Sequence, residues 1–142
     1  MSEQIKISDG FKTYDIVNQD GKLLGQFSFN PSDVNIVHRH AEVVKSLQNI
    51  SQEMETKKEE LGLEEAISAI DAVVYDKINY LLNSDAAKDF FSIMGPFTPL
   101  EDGQYFIQTV LDAIGQVIQS ETEKRAKKAQ NKIKKYTSKY HN

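Results

Sequence analysis

The feature that most constrains this chain is a change of hydrophobic period at Asn30-Pro31. Before it, apolar residues alternate with polar ones; after it, they recur every three or four residues. A period of two puts successive side chains on opposite faces of a strand, whereas spacings of three and four line one face of a helix. A short β-segment followed by a long helical one predicts a mainly α (α+β) fold.

Three alternating runs make up the β-segment. Ile5 and Ile7 lead to the turn signal Ser8-Asp9-Gly10, and Phe11, Tyr14 and Ile16 lead to Gln19-Asp20-Gly21. The third run, Lys22 to Asn30, holds Leu23, Leu24, Phe27 and Phe29. These runs predict an N-terminal β-hairpin or three-stranded meander over residues 1–30. So small a sheet is marginal alone, and Phe27 and Phe29 need a helix or a second subunit to cover them.

About four helices are expected after it, two of them long. Asn30 can cap the first, with Pro31 at its first position and Asp33 at its positive end. Apolar residues then recur at Val34, Val37, Ala41, Val44, Leu47, Ile50 and Met54, and Gly62 can end the helix. About thirty residues at ~1.5 Å each give a rod of about 45 Å, which invites pairing with another chain. The second helix, Leu63 to Leu82, carries Ile67, Ile70, Val74, Ile78 and Leu81 on one stripe, with Val73 and Leu82 beside it. Asn83-Ser84-Asp85 interrupts the chain, and a short helix brings Phe90, Phe91, Ile93 and Met94 as far as Gly95-Pro96. Thr98-Pro99-Leu100-Glu101 then combines a cap, a first-turn proline and a glutamate three residues on. The last helix buries Phe106, Val110, Ile114, Val117 and Ile118 after an irregular step at Asp102-Gly103. Beyond Glu121 only a narrow seam continues, at Ala126, Ala129, Ile133, Tyr136 and Tyr140. One domain, 1–142, accommodates all of this: the β-segment, a helical core over 31–120 and a basic helical extension over 121–142.

Charge separates the last two parts. Residues 1–120 hold 9 Lys/Arg against 19 Asp/Glu, whereas residues 121–142 hold 8 against 2. Absence of cysteine rules out disulfides and thiolate chemistry and suits a reducing compartment. The polar N-terminus has no signal-peptide pattern, and no apolar run is long enough to span a bilayer. A cytoplasmic location without membrane attachment is expected.

Little in the sequence points to catalysis. His38 and His40 stand two residues apart on a helix and cannot chelate one ion together, and His141 lies at the terminus. Glu59, Glu60, Glu64 and Glu65 flank Gly62 on polar faces rather than facing one another across a cleft. Neither a phosphate-cradling glycine loop nor a nucleophile elbow occurs. The chain is expected to be a binding protein, not an enzyme, with no cofactor and no metal.

The basic extension has three readings. Lys124, Arg125, Lys127, Lys128, Lys132, Lys134, Lys135 and Lys139 could contact phosphates, with Tyr136 or Tyr140 stacking on bases. They could instead steer the Ile133/Tyr136/Tyr140 seam towards an acidic protein. Or they form a solvated helix end whose cations suit the negative end of the dipole and balance the acidic body. Seven lysines and one arginine are a poor set for forked phosphate or base recognition, and the acidic body repels a polyanion, so nucleic acid is the weaker functional reading.

Several segments carry a resemblance. They are Phe27-Ser28-Phe29-Asn30-Pro31-Ser32-Asp33-Val34-Asn35-Ile36-Val37 with His38-Arg39-His40 and Val43-Val44; Tyr80-Leu81-Leu82-Asn83; Phe90-Phe91-Ser92-Ile93; Pro96-Phe97-Thr98-Pro99-Leu100; and Ile133 to Tyr140. Together they are spread over the chain from residue 27 to residue 140, and the chain resembles small tail-assembly chaperones of long-tailed phages and prophages of Gram-positive bacteria. That resemblance implies a protein of the host cytoplasm, absent from the finished virion. It would coat the tape-measure protein and keep it soluble while tail-tube subunits polymerise around it. The family has no active-site signature, so no catalytic residues carry over. The partner-binding residues expected here are Val37, Val44, Leu47 and Ile50 in the first helix and Ile133, Tyr136 and Tyr140 in the last. A homo-oligomer is expected as well, because helices that extend past a core commonly pair.

Overall fold

The computed structural model describes residues 2–140, and the side chains of residues 2–138. Two strands, β1 (Lys12–Val17) and β2 (Leu23–Phe29), form an antiparallel hairpin followed by five helices. These are α1 (Val34–Ser46), α2 (Ile50–Leu61), α3 (Leu63–Leu82), α4 (Ala87–Phe91) and α5 (Phe106–Tyr140). A mainly helical chain behind an N-terminal hairpin is the expected fold class.

The hairpin forms where Asn18 closes the turn, its Oδ1 accepting from the amides of Asp20 and Lys22. Tyr14 pairs with Phe27 and Lys12 with Phe29. One face is polar, with Thr13 bonded to Ser28 and Gln26 to Asp15. The other face lays Phe27 against Phe90 of α4, ring centroids 4.7 Å apart. The cover that the small sheet needs is therefore α4.

A third strand does not form: Ile5 and Ile7 are exposed and in no sheet. At Asp9-Gly10 there is only a local side-chain turn, Asp9 Oδ1 accepting from the Phe11 amide, and the backbone carbonyls are engaged elsewhere, Asp9's by the Asn30 side-chain amide and Gly10's by Arg125. The chain is pinned there to α5 rather than returned as a strand.

The long first helix is also corrected. Asp33, not Asn30, caps it, accepting from the Asn35 amide at 3.0 Å. It then breaks at Leu47–Asn49 into α1 and α2. Both α1 and α2 pack along α3, with Leu47 and Ile50 in the core. Gly62, at φ +87°, joins α2 to α3 in a single residue; no atom crowds its Cβ position, so the backbone angle is what demands glycine.

Helix α3 is the central element, in contact with α1, α2 and α4. Ala66, Ile70, Val74, Ile78, Leu81 and Leu82 are buried along it, while Ile67 and Val73 are exposed. Residues 98–105 do not begin α5: Pro99 bridges Tyr105, and Gly103 turns the chain between them at φ +84°. Helix α5 then starts at Phe106 and runs for 35 residues, about 52 Å. Its first half completes the core through Phe106, Ile107, Val110, Leu111, Ile114 and Ile118. Among the described residues, no helix is long and apolar enough to cross a membrane.

Candidate functional site

Helix α1 lies along α5 in the opposite direction. Near its start, the Thr122 hydroxyl faces the Pro31 carbonyl at 3.5 Å; near its middle, His40 donates from Nε2 to the Leu111 carbonyl at 3.0 Å. Gly115 allows this approach, because a Cβ there would meet the His40 ring at 3.0 Å. On its other flank, α1 is tied to α3 by Arg39 donating to the Leu81 carbonyl and by Tyr80 donating to Glu42 at 2.8 Å.

This clamping leaves α1 with two apolar stripes. Ile36, Val43 and Leu47 face inward and are buried. Val34, Val37, Ala41 and Val44 face outward at spacings of three, four and three, the interval of a helix-pairing seam. Val34 is 83% exposed, Val37 52% and Val44 37%. Beside them runs an open groove of about 340 Å³, lined by Val37, His40, Gly115, Ile118, Gln119 and Thr122. A separate groove of about 290 Å³ is lined by Val44, Leu47, Ile50, Ile107 and Leu111 and, in equal number, by polar side chains that include Gln48, Gln104 and Asp112.

The expected binding residues therefore divide. Val37 and Val44 belong to the outer stripe. Leu47 and Ile50, at 7% and 6% exposed, are core residues and form only the floor of the second groove. Val34 and Ala41 belong with the outer stripe although they were not expected to bind. Ile36, Val43 and Leu47 form a rival stripe on the same helix, and of the recurrence that starts at Val34 the first four members are exposed while Leu47 and Ile50 are buried.

Ile133 and Tyr136 project on α5 beyond the body, 65% and 68% exposed. Tyr140 and Lys139 continue the helix, but their side chains lie outside the described residues, as does His141 altogether. Lys127, Lys128, Lys132, Lys134 and Lys135 are exposed. Lys124 approaches Glu121 at 3.8 Å. Arg125 is not a free cation of the extension. Its Nη1 reaches the Gly10 carbonyl at 3.1 Å, Asn30 Oδ1 at 3.3 Å and Ser32 Oγ at 2.8 Å, and its Nε faces Glu121 at 3.6 Å.

Glu121 also accepts from Lys12 at 3.0 Å, and this hydrogen bond, assisted by the neighbouring cations, holds its carboxyl below the usual carboxylate range. Tyr14 lies close by with a buried hydroxyl that lacks a hydrogen-bond partner; burial, and then the Glu121 charge, push its pKa up. Asp71 on α3 is raised by burial, and its Oδ1 has no partner. No polar or charged residue among those described is fully buried, and no group of three or more His, Asp or Glu side chains there could hold a metal ion. The surface geometry offers apolar seams and a cationic rod, which suits the binding of another chain.

No protein-family model, curated protein or solved structure matches the chain.

Proposed function

We propose that this protein is a tail-assembly chaperone of the long-tailed-phage type. It holds helical segments of the tape-measure protein on the outer face of α1 and so keeps them soluble until tail-tube subunits enclose them. It acts in the host cytoplasm and leaves before the virion is complete. One observation carries the reading: an apolar seam with helix-pairing spacing, Val34-Val37-Ala41-Val44, faces outward beside an open groove. An amphipathic helix laid there would place its own ridge between α1 and α5. Covering each exposed valine would contribute on the order of 1 kcal/mol, so the three valines alone do not offset the cost of association and the client must also bury surface in the neighbouring groove. The sequence resemblance supplies the kind of client, and the seam supplies a place for it.

The test is co-expression with the tape-measure protein of the same phage. Soluble co-purification is expected with the native chain and not with Val37→Asp/Val44→Asp. Serine at Ile133, Tyr136 and Tyr140 together asks whether the extension also holds the client; unchanged client solubility removes it from that role.

Exposed lysines along α5 support a second reading, nucleic-acid binding. It requires an affinity for DNA or RNA that falls steeply with salt and vanishes when residues 121–142 are removed.

A further inference from the structure

Two parts of the molecule project from its body, and they are complementary. The first is the α2–α3 tip. Leu61, Leu63 and Ile67 stand exposed there around the Gly62 turn. Residues 50–72 surround them with seven carboxylates against two lysines. The second is the α5 extension past Arg125. Residues 126–140 carry six lysines and no carboxylate, and exposed Ile133 lies on their apolar seam.

Within one chain the two cannot meet. The α2–α3 hairpin leaves the body where Leu47 and Ile50 pack beside Ile107, near the start of α5. The extension leaves where Arg125 grips Asn30 and Ser32, eighteen residues later. Those points are about 27 Å apart along a straight helix. The tip then continues past the C-terminal end of α1, because Arg39 and Glu42 of α1 meet Leu81 and Tyr80 at the far end of α3. The extension runs the opposite way, past the N-terminal end of α1, where Thr122 faces Pro31.

We propose that the α5 extension of one copy docks on the α2–α3 tip of a second copy. Ile133 and its seam meet Leu61, Leu63 and Ile67, and the lysines face Glu59, Glu60, Glu64 and Glu65. Opposite charge sets the orientation and disfavours tip-on-tip and tail-on-tail pairing. Because donor and acceptor surfaces differ and lie at opposite ends, the contact is head-to-tail, and it builds a ring or an open chain of copies. This inference does not depend on the chaperone reading, since the outer stripe of α1 takes no part in it.

Sedimentation velocity on the full chain tests it. Association is expected to grow with concentration at low salt. It should weaken by about tenfold or more in ~1 M salt, where the screening length falls to ~3 Å. Lys132→Glu/Lys134→Glu/Lys135→Glu and, separately, Glu59→Lys/Glu60→Lys/Glu64→Lys are each expected to stay monomeric. Mixing the two variants restores one contact, because the unaltered six-lysine tail of the tip variant then faces the unaltered acidic tip of the tail variant, so association returns as a pair. Ile133→Ser, which leaves the charge untouched, should weaken association too, and circular dichroism checks that every variant keeps its helices. A native chain that is monomeric at all concentrations overturns the proposal, as does failure of the mixture to associate. Binding of a DNA oligonucleotide by the extension without self-association also overturns it, in favour of the nucleic-acid reading.

Discussion

Arg125 joins three segments that are far apart in sequence: the Gly10 turn, the loop before α1 and the midpoint of α5. Its Nη1 alone reaches the first two, and its Nε faces Glu121 on α5. Arg125→Ala is expected to lower stability by about 1–3 kcal/mol in urea unfolding, the range for losing hydrogen bonds to a charged group. Arg125→Lys should recover part of it, since an ammonium has three donors for the three acceptors that Nη1 serves. The neighbouring Glu121 adds a pH dependence. Its folded pKa is lowered, first by the Lys12 hydrogen bond, so its stabilisation is present above the unfolded value and is lost as pH falls through the folded one. Glu121→Gln should therefore melt below the native chain at neutral pH and match it in acid. Asp71 has the opposite sign. Burial raises its folded pKa, so the native fold binds the extra proton and loses stability as pH rises through that range. Asp71→Asn is expected to melt higher than the native chain at neutral pH, with the gap closing in acid.

Helix α1 separates packing from binding on a single element. Ile36→Ala should cost about 2–5 kcal/mol, as truncation of a buried aliphatic side chain does. Val37→Ser, on the outer stripe, should stay within about 0.5 kcal/mol while losing client affinity. Comparing urea midpoints of the two variants checks the assignment of faces. The sequence announces some elements fully and others not at all. Helix α3 is legible from Leu63 to Leu82, because Gly62 and Asn83 bound an uninterrupted apolar period, and Asn83 takes the left-handed cap at φ 49°. The Asp20-Gly21 turn is legible from its residues, whereas α4 ends at Phe91, before the Ile93 and Met94 that it is expected to carry. The α1–α2 break is not, since no glycine or proline marks Leu47–Asn49. The face of α1 is ambiguous because two stripes share one helix, and periodicity cannot say which is buried. A single strong cap signal at Thr98 misplaces the start of α5, because the backbone there pairs Pro99 with Tyr105 instead. Arg125 reads as one cation among eight, and only its distant partners distinguish it.

At the scale of the whole molecule, an acidic body carries a cationic rod at one end and an acidic, apolar-tipped hairpin at the other. Removing residues 126–142 should leave the melting temperature nearly unchanged, because the core contacts of α5 end before them. The same truncation should abolish self-association and leave the α1 seam in place. The proposed self-association and the proposed client holding use separate surfaces, so a client on α1 need not dissolve an assembly built through the tips. The account rests most heavily on that outer seam, so the decisive measurement is co-purification of the tape-measure protein with the native chain and with Val37→Asp/Val44→Asp. The account predicts soluble client with the native chain and none with the folded double variant. Equal recovery of client with both proteins, or no recovery with either, would contradict it.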